Sequence, residues 1–283
     1  MAGFFGLFNY EKEGPGISKN APKKKTFVVF FETYFRNFWK FIPVNLVYSI
    51  ISLLGITNGL ANAGLTNVAR NTARDKHSFG LSDFFDTIKK NWKQALPVGI
   101  INILVYILLL FDLYFFNSMS QTAAVIGIGI ALCLLLIFTF MNYFIWTLMI
   151  TFKFSIKQIY SNSFRFAFIN LKGNFICLLS LVLYYAIFIA VLFLLQKYWV
   201  MVLLIELLIF TLFFPGFKFL LVQYCVFPSI KKYIIDPYYK EHPEEDIEKR
   251  RDLGIEIEEE KKEPLPEGEE GENEEESENI FTD

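Results

Sequence analysis

The segment Phe175–Leu195 contains no charged residue and is long enough to cross a bilayer as a helix. A spanning α-helix needs about 20 mostly apolar residues, because the hydrocarbon core is about 30 Å thick and each residue adds about 1.5 Å. Apolar runs of comparable length recur, and 54% of the chain is hydrophobic. A soluble core would instead alternate apolar and polar faces. The sequence therefore predicts an all-α, polytopic membrane protein.

A fifteen-residue pattern occurs twice, each time directly before an apolar run. The segment FFETYFRNFWKFIPV at Phe30–Val44 returns as FFDTIKKNWKQALPV at Phe84–Val98, with six identical positions. A shorter third copy, FINLKGNF, follows at Phe168–Phe175. Each copy is aromatic, basic and amphipathic, which is typical of a helix that lies in the membrane interface.

The positive-inside rule decides the predicted number of spans. By hydropathy alone, residues 58–74 would be a loop. Arg70, Arg74 and the lysines of the second copy would then lie on the side of the membrane opposite to the cluster Lys23–Lys25. A second, polar helix over 58–74 puts all these charges on the cytoplasmic side. The predicted fold is a bundle of six transmembrane helices, each pair preceded by a cytoplasmic amphipathic helix. The three helical hairpins are expected over about 38–74, 94–152 and 175–229.

The charge of the chain is divided between two parts. Residues 1–235 hold 8 acidic and 21 basic residues, whereas residues 236–283 hold 21 acidic and 6 basic residues. We predict an integral membrane domain over 1–235 and an acidic, largely disordered cytoplasmic tail over 236–283. Both termini are expected in the cytoplasm.

The amphipathic copies carry the residue types that hold a helix at a lipid surface. Basic side chains attract anionic head groups at about 1 kcal/mol each, and aromatic rings enter the acyl boundary. The predicted lipid-interface anchors are Arg36, Trp39, Lys40, Lys89, Lys90, Trp92 and Lys93. Basic aromatic segments also occur in nucleic-acid-binding proteins, but the direct continuation into spanning helices argues against nucleic acid as a partner.

One acidic residue, Glu206, lies well inside a predicted span. Carboxylates within a membrane are costly, so they are functional candidates by default. The predicted second helix is rich in asparagine, and Gly55, Gly59 and Ala63 are spaced to admit a close helix contact. Glu206 either fixes helix packing by pairing with a polar residue such as Asn58 or Asn142, or takes part in transport. The candidate intramembrane polar site comprises Glu206, Asn58, Asn62, Asn67 and Asn142.

The sequence contains no motif that predicts catalysis or a cofactor. Neither GxxxxGK[ST] nor GxGxxG occurs, which argues against an ATP-driven motor in this chain. No HExxH or GxSxG pattern is present, and the two histidines, His77 and His242, lie in separate polar stretches. We expect no catalytic, metal or cofactor site and no enzymatic activity.

Several stretches carry a resemblance to a known family. They are GPGISKNAPKKKTFVVFFETYFRNFWKF, ITNGLANAGLTNVARNTAR followed by FGLSDFFDTIKKNWKQA, and the late KKYIIDPYYKEHP. Together they resemble the YesL-like bacterial membrane proteins, a family defined by a domain of unknown function, over about residues 1–245. The resemblance implies a bacterial plasma membrane and a role near carbohydrate uptake, and it implies no active site.

Two functions fit this sequence, and it favours the first, with the second as the alternative. The first is a non-catalytic accessory or scaffold protein of a membrane transport complex for carbohydrates, which explains the missing nucleotide motif. The second is a small-solute transporter or channel with a polar path through predicted helices 2, 4 and 6. A water-accessible cavity shared by Glu206 and the asparagines would favour transport. Mutual pairing of these residues in a dry interface would favour scaffolding.

Overall fold

The computed structural model describes residues 26–76, 78–119 and 121–243, and this part of the chain is helical. The helices are α1 (Thr26–Arg36), α2 (Phe38–Ser52), α3 (Asn58–Ala73), α4 (Leu81–Asn117), α5 (Gln121–Thr151), α6 (Ile156–Ile169), α7 (Leu171–Leu194), α8 (Trp199–Ile230) and α9 (Asp236–Glu241). The predicted all-helical fold class is confirmed. Most of the predicted acidic tail lies outside the described residues, as do the N-terminal segment before residue 26 and His77.

Four stretches are long and apolar enough to cross a membrane. They are α4, α5, α7 and the helical stretch Gln196–Glu241, which contains α8. Helix α2 is apolar but has 15 residues, and α3 is rich in polar residues. The chain is therefore a membrane protein.

Helices that are adjacent in the chain pack as pairs, α2 with α3, α4 with α5 and α7 with α8. Helix α3 lies in the middle, in contact with α2, α4, α5 and α8. At one end of the bundle, Lys40 Nζ of α2 donates to Thr72 Oγ1 of α3 at 2.8 Å. At the same end, Gln94 Nε2 of α4 donates to the carbonyl oxygen of Phe154 at 2.6 Å. We call this the basic end, and we call the opposite end, which holds the connections within the three pairs, the distal end.

The amphipathic segments join the long helices in different ways. A single residue, Asn37, separates α1 from α2. The second copy of the repeat forms the first turns of α4 without a break, so the helix expected from Gln94 begins at Leu81. The third amphipathic helix is α6, which precedes the predicted third copy and overlaps it by only two residues.

A capping box sets the start of α6. Gln158 N donates to Ser155 Oγ at 3.4 Å, and Ser155 N donates to Gln158 Oε1 at 2.8 Å. This reciprocal pair satisfies backbone donors that a helix N-terminus leaves without partners. The local signal at Ser155, and not the repeat, therefore locates the third amphipathic helix.

The first two copies of the repeat have equivalent packing. Four pairs of equivalent positions are buried in both copies: Phe30 and Phe84, Thr33 and Thr87, Phe41 and Ala95, Val44 and Val98. Asn37 Nδ2 donates to the carbonyl oxygen of Thr33 at 2.9 Å, and Asn91 Nδ2 donates to that of Thr87 at 3.0 Å. The two sequence copies are thus also structural copies.

Helices α3 and α4 pack backbone to backbone. A Cβ atom on Gly59 would lie 2.2 Å from the carbonyl oxygen of Ala95 and 2.8 Å from Gly99 Cα. A Cβ atom on Gly99 would lie 2.6 Å from Gly59 Cα. Small residues allow this approach, as expected for Gly59. Gly55 instead lies in the turn before α3, with a φ of 66° and no neighbouring atom within 4 Å of the place that a Cβ would occupy.

Helix α8 runs unbroken through Pro215, where the sequence predicts a kink or a loosened turn. Proline lacks a backbone N–H and crowds the preceding turn, so the carbonyls there need other donors. The carbonyl oxygen of Leu212 accepts from Asn45 Nδ2 at 2.7 Å, and that of Phe213 accepts from the Tyr34 hydroxyl at 3.1 Å. Side chains of α1 and α2 therefore bond to carbonyls in the turn before Pro215 and hold α8 in place.

The Gly59→Ala substitution should destabilise the protein by roughly 1–3 kcal/mol, because the added methyl group overlaps the backbone of α4. Gly129→Ala on α5 is the control, since nothing lies within 4 Å of that position. It should be neutral or slightly stabilising, because alanine favours a helix over glycine. The measurement is thermal unfolding of both purified variants in one detergent. A wild-type Tm for Gly59→Ala would contradict the backbone contact.

Candidate functional site

A cavity of about 340 Å³ lies inside the bundle, between the α2–α3, α4–α5 and α7–α8 pairs. This volume is at the lower end of the range for small-molecule sites, about 300–1,000 Å³. Helices from all three pairs contribute polar side chains. The amide and charged residues that line the cavity are Asn58, Asn62, Asn102, Asn142, Gln223 and Lys218.

The internal repeat extends into the cavity wall. Tyr48 lies four residues after Val44 in the first copy, and Asn102 lies four residues after Val98 in the second. Tyr185 occupies the equivalent position relative to the third copy. All three side chains line the cavity. The repeat therefore places a polar residue from α2, α4 and α7 at one common site.

Asn102 of α4 lines the cavity and connects α4 to α5 and α6 through hydrogen bonds. Its Nδ2 donates to Asn142 Oδ1 on α5 at 2.9 Å, and Asn142 Nδ2 donates to the carbonyl oxygen of Phe138 at 3.0 Å. The Tyr160 hydroxyl on α6 donates to Asn102 Oδ1 at 2.8 Å. Burial raises the pKa of Tyr160, so its hydroxyl keeps the proton that this hydrogen bond needs.

In two further amides, only one of the two polar side-chain atoms has a hydrogen bond. The Tyr48 hydroxyl donates to Asn62 Oδ1 at 2.9 Å, and Gln223 Nε2 donates to Thr147 Oγ1 at 2.8 Å. Within the described residues, Asn62 Nδ2 has no hydrogen-bond partner, and Gln223 Oε1 is buried and unpartnered. Asn62 Nδ2 is therefore available to a bound solute, whereas Gln223 Oε1 has no accessible surface in the cavity. The side-chain amide of Asn58, which also lines the cavity, has no hydrogen-bond partner in the described part of the chain.

A second polar layer separates the cavity from the basic end. Arg70 Nη1 donates to the carbonyl oxygen of Ile150 at 3.1 Å and to Thr151 Oγ1 at 2.9 Å. Arg70 Nη2 donates to Asn67 Oδ1 at 2.8 Å, and Asn67 Nδ2 donates to Thr87 Oγ1 at 2.7 Å. These bonds tie α3, α4 and α5 together, so the cavity is closed toward the basic end.

The structure brings three of the five predicted polar residues into the cavity: Asn58, Asn62 and Asn142. Asn67 lies in the layer nearer the basic end. Glu206 does not line the cavity; it is 9% exposed, and its Oε1 has no hydrogen-bond partner among the described residues. The pairing of Glu206 with Asn142 is not seen, since Asn142 is bonded to Asn102. The asparagines thus share a cavity, and Glu206 lies apart from it.

Lys218 also lines the cavity and was missed by the sequence reasoning. It lies on α8, 12 residues before the helix ends at Ile230, which is about 18 Å along the axis. Its Nζ is 5.6 Å from the centroid of the Phe219 ring, and it has no hydrogen bond or ion pair within the described residues. The signal was available, because a lysine inside an apolar run is as costly as a carboxylate there.

Residues 41–113 match a family model described as a protein of unknown function, DUF624. We call this segment, which is similar to that family, the DUF624 region. The resemblance to YesL-like proteins is confirmed by this match, because those proteins belong to the same family. No curated protein and no solved structure matches the chain.

The DUF624 region contains the centre of the bundle. It covers all of α3, most of α2 and α4, and both sides of the contact between Gly59 and Gly99. It contributes Asn58, Asn62 and Asn102 to the cavity, whereas Lys218 lies outside it. The match therefore includes three of the five amides in the wall and leaves out Asn142, Gln223 and the charged side chain.

The predicted lipid anchors lie both inside and outside the DUF624 region. Six of the seven are exposed: Arg36, Trp39, Lys89, Lys90, Trp92 and Lys93. Arg36 forms an exposed ion pair with Asp75. Lys40 is half-buried, with its Nζ bonded to Thr72 Oγ1. Lipid binding by the exposed set stays a prediction, and Lys40 has a protein partner instead.

Proposed function

We propose that this chain is a multi-pass protein of the bacterial plasma membrane that binds a small polar solute in the cavity and transports it. The observation that carries this proposal is the set of amides around an open volume inside an apolar bundle. Amides without partners in hydrocarbon cost several kcal/mol each, so their concentration around one space favours a solute that bonds to them. The asparagines on α3 and α5 come from helices 2 and 4 of the predicted polar path, whereas the charged lining residue on α8 is Lys218 and not the predicted Glu206.

In this proposal α2 and α3 cross the membrane together with the four long apolar stretches. The two helices have 15 and 16 residues, or about 22 and 24 Å, which is shorter than the hydrocarbon core of about 30 Å. Nine of the residues of α3 are buried, and its neighbours α2, α4, α5 and α8 shield its polar groups from lipid. A short, shielded pair can span by local thinning of the bilayer. The basic end and both termini would then face the cytoplasm.

Transport requires that the cavity open to each side in turn. The layer of Arg70 and Asn67 closes it toward the basic end. The α4–α5 pair meets the α7–α8 pair mainly through α5 and α8. The contact between α5 and α8 is small, so these two helices can separate while α8 stays packed on α1, α2 and α3. We infer that this separation exposes the cavity to the cytoplasm.

An accessory role in carbohydrate import is the alternative, and it rests on the family resemblance. In that case the cavity would bind solute on behalf of a partner transport complex. The missing nucleotide-binding motif is compatible with both roles. We propose no enzymatic activity, since the described residues lining the cavity include no carboxylate and no histidine to act as a general base.

A cysteine at position 103 should react with a small hydrophilic methanethiosulfonate reagent, because Ile103 lines the cavity. Leu104→Cys is the matched control, since Leu104 is 60% exposed on the outer surface of the same helix turn. A thiol surrounded by lipid does not ionise and should stay unmodified, whereas water in the cavity permits the reactive thiolate. Both variants are made in a protein with Cys133, Cys177 and Cys225 replaced by alanine and are reconstituted in vesicles. Equal protection of the two cysteines would contradict a water-accessible cavity.

The proposed orientation predicts opposite labelling at the two ends of α4. In intact cells, Ser118→Cys at the distal end should react with a membrane-impermeant maleimide, and Ser82→Cys at the basic end should not. Both serines are exposed in the structure, so accessibility depends on the side of the membrane. Permeabilised cells provide the control, because both sites should then react. Labelling of Ser82→Cys from outside would refute the orientation.

A further inference from the structure

The cavity is lined by a cationic side chain that no acidic group among the described residues balances. Lys218 lines the cavity, and none of the described lining residues is an aspartate or glutamate. Glu206 lies on the same helix but 12 residues away, or about 18 Å along its axis. Burying an unpaired ammonium is costly, so a group that supplies negative charge beside it would bind favourably.

The charges on the basic side of the cavity have the same sign. Arg70 lies in the polar layer toward the basic end, and its three described hydrogen bonds are all to uncharged acceptors. Arg74 lies one turn further along the chain, with its guanidinium carbon 3.9 Å from the centroid of the Phe227 ring. Cations at this depth reinforce the positive potential of the cavity, because screening by solvent is weak inside the bundle.

The remaining polar groups favour hydroxyls on the same ligand. Asn62 Nδ2 is an available donor, and the side-chain amide of Asn58, with its acceptor Oδ1, has no hydrogen-bond partner among the described residues. A hydroxyl group donates one hydrogen bond and accepts others, so it satisfies both kinds of group. An anion without an O–H group could not donate to Asn58 Oδ1 and would leave it without a partner. The hydrogen-bonding pattern therefore favours a hydroxylated anion.

The volume limits the size of this solute. About 340 Å³ corresponds to the liquid volume of about eleven water molecules, at about 30 Å³ each. This space suits a molecule of about a dozen non-hydrogen atoms. The tyrosine rings of Tyr48, Tyr106 and Tyr185 also line the cavity and can pack on the carbon chain of such a molecule.

We propose that the cavity selects a small hydroxy carboxylate, with Lys218 binding the carboxylate and the free amide groups of Asn58 and Asn62 binding its hydroxyls. This inference rests on the proposed solute-binding function and names the class of solute. Lysine acts here as a point charge on a flexible stem, which suits a carboxylate of variable position. The carboxylate supplies the negative charge that the described lining lacks.

Gluconate and sorbitol are the probes that test this proposal. The two molecules share a six-carbon hydroxylated chain and differ in the carboxylate, so their affinities isolate the effect of the charge. Dissociation constants are measured by titration calorimetry on the purified full-length protein in lipid nanodiscs. The wild-type protein should bind gluconate about tenfold or more tightly than sorbitol, because a hydrogen bond to a charged group contributes enough for such a ratio.

Variants at Lys218 separate the charge from the shape of the site. Lys218→Met should lose the preference for gluconate while sorbitol affinity changes by no more than about twofold. Lys218→Arg should keep the preference, because it keeps the charge. Lys197→Met is the control, since Lys197 lies in the distal turn between α7 and α8 and does not line the cavity. It should behave as the wild type.

The outcomes distinguish the two proposals. Equal affinity of the wild-type protein for both probes, or an unchanged preference in Lys218→Met, would overturn the anion site and leave solute binding intact. Failure of the wild-type protein to bind either probe would overturn the solute-binding function and this inference with it. If Lys218→Met does not fold, the relative affinities of the wild type and of Lys218→Arg for the two probes still test the anion site.

Discussion

A polar helix inside a membrane protein must be surrounded by other helices, and this constraint organises the whole molecule. Helix α3 carries asparagines, threonines and an arginine, and lipid offers no partners for them. The structure places α3 in contact with α2, α4, α5 and α8. The close approach of Gly59 and Gly99 brings α3 against α4 without intervening side chains. The central position of α3 follows from these contacts.

The cavity is a consequence of how the surrounding helices satisfy those polar groups. Toward the basic end, Asn67 and Arg70 find partners on α4 and α5, and the helices are held together. One or two turns nearer the distal end, the amides of Asn62 and Gln223 are only partly satisfied, and space remains between the helix pairs. Helix α3 therefore holds neighbouring helices together near the basic end and lines the open cavity nearer the distal end. Lys218 then gives the cavity its positive charge.

Much of this organisation can be predicted from the sequence, because it depends on the charge of each residue and on its depth in the membrane. The distribution of Arg70, Arg74 and the lysines of the second copy predicted a helix where hydropathy predicts a loop, and α3 is that helix. The spacing of Gly59 and Ala63 predicted a close helix contact, and Gly59 makes it. The packing of the two repeat copies followed from their sequence identity at buried positions.

The remaining features depend on rotation about a helix axis, which an apolar sequence does not reveal. Helix α8 is apolar on all sides, so hydropathy could not show that Lys218 faces the cavity or that Glu206 does not. The second copy continues smoothly into α4 because no capping residue interrupts it, and α6 starts early because Ser155 provides a cap. Such local signals compete with the repeat and decide where each helix begins.

The central claim is that this bundle encloses a wet, polar site within the membrane, and the contents of that site can be observed directly. The measurement is a high-resolution cryo-electron microscopy map of the full-length protein in a lipid nanodisc. The account predicts ordered water or solute density between Asn62, Asn142 and Lys218, enclosed by α3, α5 and α8. A lipid acyl chain in this space, or side chains packed together with no space between them, would contradict it.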